Sequence, residues 1–208
     1  MEDLTGLISA FTATVASGQT EVYNEFSLQH ELGIFLRGQL PNFKVQFERN
    51  VSHFFGCKIP CTKCEIDIAV FSADKKVLRY AIELKYPRNG QYPNQMFRFC
   101  EDIAFAEELH SAGFSATCLV IFADDRNFYE GKAEGIYAYF RGRQPVHGRI
   151  TMPTGKSNEE VFVRGNYSIR WQPIFGALKY ALVEVEGMSQ TEPIASAPYS
   201  LAGIETEN

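Results

Sequence analysis

The chain has 208 residues, 45% of them hydrophobic and 22% charged, with a formal net charge of −5. That is an ordinary globular composition, enough for one domain with a sizeable core. No apolar run approaches the ~18 residues a membrane span needs, and the acidic start MEDLTGL lacks the basic region of a signal peptide. Five cysteines, an odd number, do not form a secreted disulfide framework, so a cytoplasmic protein is expected.

In chain order, residues 3–16 suit a short first helix. SLQHELGIFLRGQL follows, with Leu28, Leu32, Phe35 and Leu36 at helical spacing, Ser27 as candidate N-cap and Pro41 as the stop. FKVQFER (43–49), EIDIAVF (65–71) and VLRYAIELKY (77–86) read as strands, the last two joined by the turn SADKK. Asn94 can cap a helix running to His110, with Met96, Phe99, Ile103 and Ala106 as its apolar stripe. ATCLVIFA (116–123) is a continuous apolar run, as in a buried central strand. Beyond lie an aromatic, Gly-rich stretch (127–146), a strand within EEVFVRGNYSIRW and a short helix near 174–182; from Met188 the Ser/Pro/Glu-rich end reads as disordered. The expectation is one α/β domain over 1–187, with its core at about 24–123 and a basic elaboration at 126–182. Residues 126–180 carry nine Lys/Arg against four acids, which suits an anionic partner or a solvated basic face.

The third strand poses a chemical question. Side chains alternate between faces, so Glu83 and Lys85 share one face of an otherwise apolar strand. Asp67 lies on the matching face of the preceding strand. A hairpin centred near Asp74 sets Asp67 opposite Ala81 and one diagonal from Glu83, within reach of a shared ion. Adjacent carboxylates repel unless a cation separates them, and hard oxygen ligands with retained water suit Mg²⁺. Glu31 interrupts the apolar face made by Leu28, Leu32 and Phe35. The alternative for the trio is a buried salt-bridge network without chemistry, and for Glu31 an edge carboxylate reaching water.

Glu on an early helix, Asp67 in EID, then Glu83-Leu84-Lys85 before a helix and an apolar strand: this pattern resembles the PD-(D/E)XK nuclease superfamily over roughly residues 24–123. Ile66 stands where the signature has Pro. The resemblance implies a restriction-endonuclease-like fold, a mixed sheet flanked by helices with an αβββαβ core. It also implies a Mg²⁺- or Mn²⁺-dependent phosphodiester hydrolase acting on nucleic acid, with DNA the expected substrate and RNA the alternative. Carried onto this chain, it makes Asp67, Glu83 and the Leu84 carbonyl metal ligands. Lys85 stabilises the attacking water and developing charge, and Glu31 is an accessory group. Gln95 and Arg98 are candidate substrate contacts at the start of the following helix. A silent binding module of the same fold is the rival reading, a homodimer is left open, and no membrane partner is expected.

His53, Cys57, Cys61 and Cys64 fall within twelve residues just ahead of Asp67. Such soft donors suit Zn²⁺ or an iron–sulfur cluster. The C-x3-C-x2-C spacing matches that of radical SAM enzymes, but no train of βα units accompanies it. Reduced structural cysteines on a loop are the favoured reading. Cys100 and Cys118 fall at apolar helix and strand positions, as core residues do.

Overall fold

The computed structural model describes residues 3–55, 61–88, 90–154 and 159–185. Helices α1 (Leu4–Ala16) and α2 (Glu25–Gln39) lead into strand β1 (Lys44–Asn50), the one-turn helix α3 (Ser52–Phe55), and strands β2 (Glu65–Phe71) and β3 (Leu78–Lys85). Helix α4 (Tyr92–Ala112), strand β4 (Ala116–Ala123), the short helix α5 (Tyr137–Phe140) and strands β5 (Val146–Thr151), β6 (Glu160–Tyr167), β7 (Gln172–Phe175) and β8 (Leu178–Val185) follow. A six-stranded sheet has the order β1-β2-β3-β4-β8-β7, and β5 and β6 form a separate hairpin. Among the described strands only the β3/β4 pairing is parallel; α4 is the crossover between those strands, as a parallel neighbour requires. No described helix is long and apolar enough to cross a membrane.

The sheet is apolar on both faces because both are covered. On one, Ile68, Val70, Ile82, Leu84, Val120 and Phe122 pack beneath α1 and α2. On the other, Leu119, Ile121, Ala181 and Val183 meet Phe99, Cys100 and Ile103 of α4, with the β5–β6 hairpin joining the same cluster. Burial on both sides explains the unbroken apolar run of β4. Glu107 of α4, itself buried, anchors the hairpin: its carboxylate accepts from the Arg164 and Gly165 N–H groups and the Tyr167 hydroxyl. Three donors satisfy it, which makes it a structural acid.

Several expectations are corrected. Asn24, not Ser27, caps α2; Ser27 sits at N3 and completes a reciprocal capping box. Helix α4 begins at Tyr92, with Pro93 in its first turn, ahead of the expected Asn94 cap. The short helix expected near 174–182 is the β7–β8 hairpin. Its turn places Gly176 at φ 54°, a conformation glycine adopts without penalty, and burial alternates along β8 with the period of a strand. Strand β5, unanticipated, begins at the end of the stretch read as Gly-rich loop. β8 pairs with β4 in the central sheet, so the basic segment contributes a core strand. The tail from Met188 lies outside the described residues.

Gly33 sets the distance between α2 and the sheet. A Cβ there would stand 2.2 Å from the Phe47 ring on β1, a ring also covered by the Arg37 guanidinium at 5.0 Å. Alanine is favoured over glycine in a helix by ~1 kcal/mol, whereas overpacking costs ~1–3 kcal/mol. Gly33→Ala is therefore expected to destabilise the protein, and the same change in a Phe47→Leu background to stabilise it. Denaturant unfolding of the four proteins in this cycle tests the contact, and additivity of the two substitutions would rule it out.

Candidate functional site

The β2–β3 ladder pairs Ala69 with Ala81 and Ile68 with Ile82, after an irregularity at Val70/Phe71. Continuing that register sets Asp67 against Glu83, two residues from the expected Asp67–Ala81 pairing. Beyond Ile68 the carboxylates take over the inter-strand bonding. The Leu84 N–H donates to Asp67 Oδ2 at 2.7 Å, and the Asp67 N–H donates to Glu83 Oε1 at 3.3 Å. The two acids are thus adjacent, as expected, through direct opposition and not along a diagonal.

Glu83 is wholly buried, at 0% exposure. Its other oxygen is paired with Lys63, which arrives from the loop ahead of β2. Lys63 Nζ also lies 2.8 Å from Asp102 Oδ1, on the buried side of α4, and 5.5 Å from the centre of the Phe105 ring. Lys85 Nζ stands 3.4 Å from Asp102 Oδ2, 3.8 Å from Glu25 and 4.0 Å from Asp67, and donates to the Leu84 carbonyl at 2.7 Å. Glu25, in the first turn of α2, accepts from the Tyr86 N–H at 2.9 Å. Asp102 is 2% exposed, and its Oδ2 makes no hydrogen bond among the described residues.

Four carboxylates (Glu25, Asp67, Glu83, Asp102) therefore surround two ammoniums. When all are ionised, two negative charges are left over. Burial, reinforced by Asp67, pushes the Glu83 carboxyl well above its ordinary value near 4.5. Burial likewise raises Asp67, against the opposing pull of Lys85 and Lys63. For the two lysines burial acts downward, but the surrounding carboxylates outweigh it and hold both ammoniums protonated.

Two openings adjoin the cluster. A cleft of about 690 Å³ is lined by Lys63, Lys85, Arg88, Gln95, Arg98 and Asp102, among others. A chamber of about 60 Å³ lies between α2 and the strands, bounded by Glu25, Gln29, Glu48, Asp67 and Leu84. Gln95 and Arg98, a turn apart on one side of α4, both line the cleft, although Arg98 is held by Glu101 at 2.7 Å.

Glu31 is placed elsewhere: it pairs with the neighbouring His30 at 3.1 Å and lines neither opening. Glu25 takes the position beside Lys85 that Glu31 was expected to fill, because the capping box starts the helix at Glu25 and turns that residue toward the strand ends. At the cysteine loop, His53 packs edge-on to Phe54 and Phe71, Cys61 is half-buried and Cys64 exposed as free thiols, and Cys57 lies outside the described residues. Among the described residues no three His, Cys, Asp or Glu side chains gather as a metal cage, here or at the carboxylates. Asp67, Glu83 and the Leu84 carbonyl nevertheless supply two carboxylates and one further hard oxygen. That is the sparse donor set Mg²⁺ uses when it keeps its waters, and the two negative charges left over when all four carboxylates are ionised fit a divalent ion. Comparison with protein-family models, curated proteins and solved structures gives no significant match.

Lys63, Glu25 and Asp102 were not anticipated. Asp102 carried a usable signal, since it falls three residues after Phe99 and four before Ala106 and so interrupts the apolar stripe of α4. Glu25 lay outside the helix as first bounded, and Lys63 stands among cysteines that drew attention to themselves.

The raised Glu83 pKa has a consequence for stability. An acid that binds its proton more tightly when folded contributes stability fully below its unfolded value near 4.5, and loses it as pH rises toward the native value. Glu83→Gln stays neutral throughout. The stability of the wild type relative to Glu83→Gln should therefore fall as pH rises above about 4.5, measured by denaturant unfolding across pH. A difference that does not vary with pH would contradict this account of the site.

Proposed function

We propose that the protein is a divalent-metal-dependent nuclease of restriction-endonuclease-like fold that hydrolyses phosphodiester bonds in DNA. The observation that carries the reading is the meeting of Asp67, Glu83 and Lys85 in one cluster, from which Lys85 reaches the cleft and Asp67 the small chamber, with a surplus of two negative charges when all its groups are ionised that a divalent ion would balance. The succession α2, β1, β2, β3, α4, β4, interrupted only by the single turn of α3, agrees with the αβββαβ core of that superfamily.

On this reading Asp67, Glu83 and the Leu84 carbonyl would hold the ion, which would supply a water of lowered pKa and polarise the phosphodiester. Lys85 is oriented by Asp102 and Glu25 and sits where negative charge would grow on the attacked phosphate. Gln95 and Arg98 face the strand from the cleft wall. Phe26, on the rim, is 80% exposed, and an aromatic ring in that position offers a stacking surface for a base. One observation favours the rival, a silent nucleic-acid- or protein-binding module: Lys63 already neutralises Glu83, which makes a self-contained network. RNA cleavage uses the same chemistry, and substrate comparison separates it from DNA cleavage.

Purified protein with Mg²⁺ or Mn²⁺ should nick or cut DNA, and EDTA should stop it. Asp67→Ala and Glu83→Ala should each abolish cleavage, and Lys85→Ala should lower the rate by ~10²–10³-fold, the usual cost of one charge-stabilising donor. A protein that binds DNA but stays inert with every divalent ion would favour the silent module. Phe26→Ala should weaken binding of single-stranded DNA, by ~1–3 kcal/mol if a base stacks there. Unchanged binding in a fluorescence-anisotropy titration would remove Phe26 from the substrate path.

A further inference from the structure

Lys63 is the residue at this site that the proposed chemistry does not use, and its surroundings are built to hold it. The Thr62 N–H and hydroxyl both donate to Glu108 of α4, each at 2.7 Å. On the other side, the Cys64 carbonyl accepts from the Val51 N–H at 2.9 Å. The loop is therefore pinned immediately before and after Lys63. Its ammonium is placed between Glu83 and Asp102, two carboxylates that are almost wholly buried and come from different elements.

An ammonium in that position resembles a bound cation, in contact with a ligand carboxylate of the proposed ion. Its side chain nevertheless remains about one-third exposed, at 31%, and borders the open cleft. It therefore has a way out toward solvent, which the wholly buried Glu83 lacks. The second oxygen of Asp102 accepts no hydrogen bond among the described residues but lies 3.4 Å from Lys85, so Asp102 keeps an ion-pair partner when Lys63 leaves it.

We propose that Lys63 is a resident counter-ion that pairs Glu83 with Asp102, and that it yields the Glu83 carboxylate to a divalent ion held by Asp67, Glu83 and the Leu84 carbonyl. The ion then enters by exchange with an ammonium and not by filling a ready cage. Asp102 retains Lys85 as the exchange occurs. The displaced Lys63 remains at the cleft edge, where its charge faces the phosphate backbone. This rests on the metal-dependent reading above and adds a competition between one side chain and the ion.

Mn²⁺ alone is a sufficient probe, followed by titration calorimetry and by the rise in Tm on binding. Lys63→Gln should unfold at a lower temperature than the wild type without Mn²⁺, since two buried carboxylates lose their partner. It should bind Mn²⁺ more tightly by about tenfold, within the span typical of coupled binding events. Lys63→Arg, which keeps the charge, should return the affinity toward that of the wild type. A measurement on the unaltered protein guards against a variant that fails to fold: acetylation of Lys63 by acetic anhydride, followed by mass spectrometry, with exposed Lys76 as the internal standard. Lys63 should be protected without Mn²⁺ and react several-fold faster with it. Mn²⁺ binding with Lys63 still protected, or at equal affinity in Lys63→Gln, would overturn the exchange and leave the nuclease reading standing. No Mn²⁺ binding by either protein would overturn both.

Discussion

Glu83 sits in the middle of an apolar strand covered on both faces, and the rest of the site follows from what it takes to keep a carboxylate there. Removing an ion from water costs several kcal/mol even after relaxation, and the cost is offset only by close opposite charge and full hydrogen bonding. One oxygen takes the Asp67 N–H, made available because the β2–β3 ladder ends one residue earlier. The other takes Lys63. Lys63 is held by a loop fastened to α4 through Thr62 and Glu108, and α4 supplies Asp102 as the second partner. The seating of α4 on the sheet and the neutralisation of Glu83 are therefore one problem with one solution.

Stability does not account for this arrangement. Well-packed apolar residues replacing a buried ion pair are often neutral or stabilising by ~1–4 kcal/mol, and the neighbouring cluster of Ala69, Ala81, Phe105 and Leu109 shows that the fold fills such space with hydrocarbon. Nor is the network balanced, since its carboxylates outnumber its ammoniums by two. Glu107, further along α4 from Asp102, is a useful contrast: it is equally buried but served by three hydrogen-bond donors. Asp102 borders the open cleft, and its second oxygen, 3.4 Å from the Lys85 ammonium, accepts no hydrogen bond among the described residues. A group left under-satisfied beside a cleft suits a site that must accept something further.

Much of the frame was legible because period and burial agree. EIDIAVF and ATCLVIFA became β2 and β4 over the same residues, since each carries a run of apolar side chains where the strand is covered on both faces. The placing of Asp67, Glu83 and Lys85 on one interior face followed from alternation alone. The register did not: the turn that pairs Phe71 with Leu78 shifts it by one residue from a turn centred on Asp74, and the irregularity at Val70/Phe71 by one more, without leaving a mark in composition. Glu31 and Asp102 were the same kind of signal, a carboxylate interrupting an apolar stripe. The one at the helix edge found a neighbour in His30, and the one facing β3 and β4 was buried. Periodicity identifies the face and not the depth, and depth depends on which element packs there.

The basic stretch at 126–180 illustrates the complementary limit, that a count of charges is not a surface potential. Arg141 donates to the backbone carbonyls of Lys132 and Asn127 and lies 4.2 Å over the Tyr137 ring, so it braces a loop. Arg149 is paired with Glu160 at 2.6 Å, and Lys179 lies 4.1 Å over the Tyr129 ring. The cations of the cleft are committed too, Arg88 to Asp124 and Arg98 to Glu101. A phosphate approaching this cleft would meet ion pairs already formed, and the carboxylate surplus behind them would repel it. On the proposed reading the divalent ion thus has a role before any chemistry begins. Its two charges, with an ammonium displaced toward the opening, would change the cleft from one that repels a phosphodiester into one that receives it.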